Sequence, residues 1–128
     1  MVIYYCLAIV AIIPLILAVC SIPFRLSQES TVDLQTPRVQ AARLIGAGSR
    51  IVDAQKNAWE ALMLFTAALF IAFANNVPPE SIQSAALIFV AARILHAVVY
   101  VMNLGVPRFF AFLIAFIAAL QIMATALI

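Results

Sequence analysis

Arg93, His96 and Tyr100 sit at intervals of three and four residues in an apolar run that begins near Ser81. That spacing puts their side chains on one face of a helix. A charge at bilayer depth costs roughly 2.5 to 3.5 kcal/mol even on lenient insertion scales, so an Arg in such a run needs a partner and marks a functional site. A second polar stripe lies in the run from Gly48 to Ala74, where Arg50, Asp53, Asn57 and Glu60 fall on one helical face with Lys56 beside it. Arg108 follows Pro107 at the start of the last apolar run. There, free backbone N–H groups and the helix dipole favour an anion, and an Arg can hold a phosphate or stabilise a thiolate. The same Arg also reads as an anchor snorkelling to lipid headgroups.

These stripes need elements to carry them, and composition says what those are. Of 128 residues, 67% are hydrophobic and 9% charged, with a mean hydropathy of +1.18. No soluble domain hides that much apolar surface, so lipid must be the solvent for most of it. The expected fold class is all-α: an integral membrane four-helix bundle running up-down-up-down, one domain over 1–128. Its helices are expected at about 2–22, 48–74, 81–104 and 107–128.

The first run lacks the basic start of a secretory signal and is expected to stay as a membrane helix with Pro14 inside it. Ser21-Ile22-Pro23 is expected to end it, and Thr36-Pro37-Arg38 to open a short helix, Thr as N-cap and Pro first. Asn75 to Ser81 is a tight turn, and Gly105 is expected to end the third helix before Pro107 opens the fourth.

Charge and cysteine usage exclude several classes. The net charge is +2 and the basic residues gather near one connector, so there is no nucleic-acid-binding stripe. Cys6 and Cys20 have no spacing partner and read as packing residues, and His96 has no second His or thiol cluster, so no metal is expected. The first connector carries Arg25, Arg38 and Arg43, Arg108 follows the third, and the second has no basic residue. By the positive-inside rule, connectors one and three face the cytoplasm and both termini the other side.

The second and third helices, joined by a tight turn, should be antiparallel neighbours with equal-depth residues whose numbers add to about 153. That register sets Glu60 beside Arg93, Asn57 beside His96 and Asp53 beside Tyr100. Glu60 supplies the carboxylate that a buried Arg93 requires. A polar zipper needs only one or two such pairs. A face that continues through Asn57, Lys56, Asp53, His96 and Tyr100 reads instead as the wall of a wet, ligand-sized cavity.

At this point the chain resembles a known family, the membrane-associated proteins in eicosanoid and glutathione metabolism (MAPEG). Ala54-Gln55-Lys56-Asn57-Ala58-Trp59-Glu60 looks like the family's A-x-x-N-x-x-E on the second helix, and Arg93-x-x-His96-x-x-x-Tyr100 like its third-helix pattern. Asp33 with Pro37-Arg38 looks like bacterial members. The resemblance implies a homotrimer in a bacterial inner membrane, with glutathione as co-substrate between subunits near the cytoplasmic side. Asn57, Glu60, Arg93, His96 and Tyr100 would contact it and Arg108 would stabilise its thiolate, with a small lipophilic electrophile or a peroxide as second substrate. One departure stands out: four residues before the Asn, glutathione-using relatives carry Arg where this chain has Asp53, a charge that repels a carboxylate. Arg50 or Lys56 are the candidates to replace it, and Arg38 completes the set of candidate ligand contacts.

Three functions follow from these readings. The first is a thiol-dependent transferase or peroxidase. The second is a non-catalytic MAPEG-fold membrane protein that binds another small anionic or lipophilic ligand. The third is a proton-coupled transporter using Asp53, Glu60 and His96, disfavoured by four spans without internal repeats.

Overall fold

The computed structural model describes all 128 residues and contains six helices and no strands. Four segments are long and apolar enough to cross a membrane: Val2–Glu29, Ala47–Ala74, Pro79–Val101 and Gly105–Leu127. The first is built from α1 (Val2–Cys20) and α2 (Ile22–Glu29). Ser21 does not end it. Its backbone stays helical, its N–H donates to Leu17 O and Ala18 O, and its hydroxyl donates to Ala18 O at 2.7 Å. Pro23 is tolerated because it stands in the first turn of α2, where a missing N–H costs nothing. Pro14 is buried, placing its ring in a packing contact within α1.

A short helix, α3 (Pro37–Arg43), crosses the connector, and α4 (Ala47–Ala74), α5 (Pro79–Val101) and α6 (Gly105–Leu127) complete the bundle. Thr36 occupies the N-cap position of α3 but makes no capping bond, because its hydroxyl donates to the Asp33 carboxylate. Both α4 and α5 end in the same way. Asn76 and Asn103 take left-handed backbone, and the following N–H groups of Val77 and Leu104 reach back to Ala72 O and Val99 O. This closure satisfies carbonyls of the last turn, and Asn is one of the few residues besides Gly that adopt the conformation. Gly105 therefore opens α6 instead of closing α5.

Packing rests on small residues and one aromatic pair. Ala61, Ala68 and Ala72 of α4, Ala85, Ala86 and Ala92 of α5, and Ala115, Ala118 and Ala119 of α6 share one buried cluster, which lets backbones approach where lipid offers no hydrophobic drive. Phe65 and Phe89 stack inside it, ring centroids 4.4 Å apart and 10° from parallel. The outer surface is apolar: Phe70, Ile94, Val98, Phe110 and Ile117 are all exposed, as acyl chains require. Gly48 at the head of α4 is needed for contact, since a Cβ there would lie 3.0 Å from Phe24 Cβ.

Candidate functional site

Arg93, on α5, is 4% exposed and so buried along almost its whole length. Its Nη2 donates to Asn57 Oδ1 at 2.7 Å and to the Asn57 carbonyl at 3.3 Å. Asn57 Nδ2 in turn donates to Glu60 Oε2 at 3.1 Å. A guanidinium only donates and a carboxylate only accepts, so the Asn57 amide has one orientation that serves both. The ion pairs of the chain are Arg43–Glu29 at 3.3 Å and Lys56–Asp53 at 3.2 Å, so Arg93 has no carboxylate oxygen in contact.

The expected direct pair of Glu60 with Arg93 is thus replaced by a relay through Asn57. The backbone register is not the cause, because Phe65 and Phe89 keep it to within one residue. The long Arg stem instead carries its head about 4.5 Å, three residues of helical rise, toward the polar end of the bundle. There a neutral amide receives it while the exposed Glu60 carboxylate accepts from the same amide. The pairings of Asn57 with His96 and Asp53 with Tyr100 give way for related reasons: Asn57 is engaged by Arg93, and Asp53 turns outward to Lys56.

Asn57, Glu60 and Arg93 form the polar end of a cleft of about 170 Å³ between α4, α5 and α6. Its apolar wall includes Leu64, Phe89, Phe112 and Phe116, the last two with near-parallel rings 6.1 Å apart. Further along α5 toward the connectors comes an aromatic and cationic stack. His96 meets Tyr100 edge to face at 5.5 Å, and the Arg108 guanidinium lies over the Tyr100 ring at 4.4 Å from its centroid. His96 is 3% exposed, and its Nδ1 has no hydrogen-bond partner. Arg108 stands one turn into α6, its own N–H bonded to Leu104 O at 3.1 Å, so the positive charge it offers is that of its side chain.

The remaining candidates lie elsewhere. Arg50 Nε donates to Val101 O at 2.9 Å, tying the start of α4 to the end of α5. Arg38 and Lys56 line a separate cleft with Arg25 and Trp59, on another face of α4. Neither Arg50 nor Lys56 therefore lines the cleft that holds Asn57 and Arg93. Phe112 and Phe116 do not stand out in an apolar run, although Arg108, Phe112 and Phe116 recur every fourth residue and so share one helical face.

Four packed spans with a buried, hydrogen-bonded polar relay define a multi-pass integral membrane helical bundle. The chain belongs to the MAPEG family, whose family model matches residues 2–128. No curated protein and no solved structure matches it.

Proposed function

We propose that the protein is a membrane-embedded transferase or peroxidase that works with glutathione or a similar thiol, Arg108 stabilising the thiolate. The observation that carries this is the Arg93 guanidinium: buried, bonded to a neutral amide, and opening on a cleft whose one carboxylate, Glu60, is held by Asn57 and not by Arg93 directly. A buried charge in that state attracts an anionic group of a ligand, and charge-assisted bonds from Arg are the strong ones. MAPEG membership supports the thiol as the class of that ligand.

Arg108 is held by the Tyr100 ring and pairs with no carboxylate, so its charge is available to a sulfur brought beside it. Such a charge lowers a thiol pKa from about 8.5 and raises the thiolate fraction at neutral pH. Thiolate formation releases one proton to solvent, and attack on an electrophilic carbon forms a C–S bond as the leaving group departs with the bonding pair. Leu64, Phe112 and Phe116 offer the apolar wall that a lipophilic electrophile or peroxide would lie against. The side chain fixed at Asp53 is the one that does not fit a glutathione carboxylate. It turns toward Lys56, 3.2 Å away, and away from the cleft.

In keeping with the family and the basic connectors, the subunit assembles as a homotrimer in a bacterial inner membrane, the Arg25 to Arg43 connector in the cytoplasm and both termini opposite. A second reading, a non-catalytic MAPEG-fold binder of another small anion or lipophile, is favoured by Asp53 standing where relatives carry Arg. Rapid mixing of the purified protein with glutathione, followed in the ultraviolet thiolate band, separates the two. The expected result is a thiolate signal that Arg108→Ala removes. No signal and no glutathione-dependent thermal shift would overturn the enzyme reading in favour of the second.

A further inference from the structure

Successive residues on a helix are about 100° apart, so α4 presents Asn57, Glu60, Ala61 and Leu64 on one side and Val52, Gln55, Lys56 and Trp59 on another. The second side faces α2 and α3 across a cleft of about 390 Å³, whose wall holds Arg25, Arg38 and Lys56. We propose that this cleft binds the phosphate headgroup of an anionic phospholipid, with Trp59 and Val52 against its glycerol and first acyl carbons.

Arg25 is fixed in place: Nε donates to Ser21 Oγ at 3.2 Å, and Nη1 donates to Pro37 O at 2.8 Å and to Gln40 Oε1 at 3.2 Å. All three acceptors are neutral, so its charge is unbalanced, and Nη2 has no protein partner. Gln40, 1% exposed, is itself held by Thr31 O and the Asp33 N–H, so the guanidinium sits on a rigid base. Arg38 is exposed and free of any ion pair, and Lys56 shares its charge with Asp53 alone. Three cations against one adjacent carboxylate leave the cleft electropositive, and a phosphate oxygen accepts well from such donors.

A hydrocarbon core of about 30 Å takes roughly 20 residues at 1.5 Å each, so counting back along α4 from its end at Ala74 reaches the opposite boundary near residue 54. Val52 to Trp59 straddle that boundary, where lipid phosphates lie. Trp59, 42% exposed, is the residue type that settles at such interfaces. Asn57 and Glu60 lie at nearly the same depth on the other side of α4, so helix face and not depth separates the two clefts.

The lipid site is independent of the thiol chemistry, and a binding measurement tests it. The protein in a zwitterionic detergent is titrated with phosphatidylglycerol, phosphatidylcholine or inorganic phosphate while its melting temperature is followed. Phosphatidylglycerol is expected to raise it saturably and phosphatidylcholine to leave it within error. Arg38→Gln, which breaks no contact of the fold, is expected to weaken the phosphatidylglycerol response at least about tenfold, the effect of losing a charge-assisted contact. Equal responses to the two lipids, or an undiminished response in the variant, would overturn the proposal. An equal shift with inorganic phosphate would assign the cleft to a free anion, and displacement of the lipid by glutathione would assign it to the thiol ligand; either outcome overturns the lipid reading.

Discussion

At the scale of single residues, Asn57 has the most consequential position, because its amide is the link between a buried guanidinium and an exposed carboxylate. Removing one partner of a buried charge costs about 3 to 5 kcal/mol, whereas replacing the whole group by apolar residues of similar size is often neutral. Asn57→Ala is therefore expected to destabilise the protein by a few kcal/mol, of order 3, in detergent unfolding. Asn57→Leu combined with Arg93→Met is expected to lose less than that single change. A double variant as unstable as Asn57→Ala would show that Asn57 serves packing and not the charge. The identities Arg93, Asn57 and Glu60, and their helical spacing, were all legible in the sequence. Their order of contact was not, because the reach of a long side chain along a groove is not a property of spacing.

At the scale of elements, the connector from Ser30 to Gly46 is more ordered than a polar stretch with short helical signals promises. Asp33 accepts from the N–H groups of Gln35 and Thr36 at 2.8 and 2.9 Å and from the Thr36 hydroxyl, and Gln40 bridges Thr31, Asp33 and Arg25. The Thr36 hydroxyl first, then the Thr36 and Gln35 N–H groups, hold the Asp33 carboxyl below its ordinary value of 3.8. A carboxyl lowered in the folded state stabilises above its unfolded pKa, and that contribution fades as pH falls through the folded value. The connector is thus expected to loosen only below about pH 4. Proteolysis of the connector across pH 2 to 7 checks this, and Asp33→Asn is expected to flatten the profile. A loosening that begins near pH 6 would point to some other group. Thr36 was legible as an N-cap by type and position, but a nearby carboxylate competes for its hydroxyl, and such competition is decided by the fold of the loop.

At the scale of the whole molecule, the antiparallel register of α4 and α5 follows from a turn of a few residues closed by Asn76 and is reported by the Phe65 and Phe89 stack. Ala61→Cys with Ala92→Cys, both in the shared buried cluster, is expected to crosslink under mild oxidation. Failure of that pair, with a crosslink instead one turn away, would mean that the helices have slid. Composition and apolar run length determined the four spans, since hydrocarbon accepts no other backbone than a helix or closed barrel. Helical periodicity determined which polar residues share a face, because that period is fixed by backbone geometry. Only the tertiary structure decided that Arg93 bonds to Asn57, that Arg108 rests on Tyr100, and that Arg38 and Lys56 face a cleft of their own. Those outcomes depend on how far each flexible side chain reaches and on which neighbour it meets when helices distant in sequence pack together.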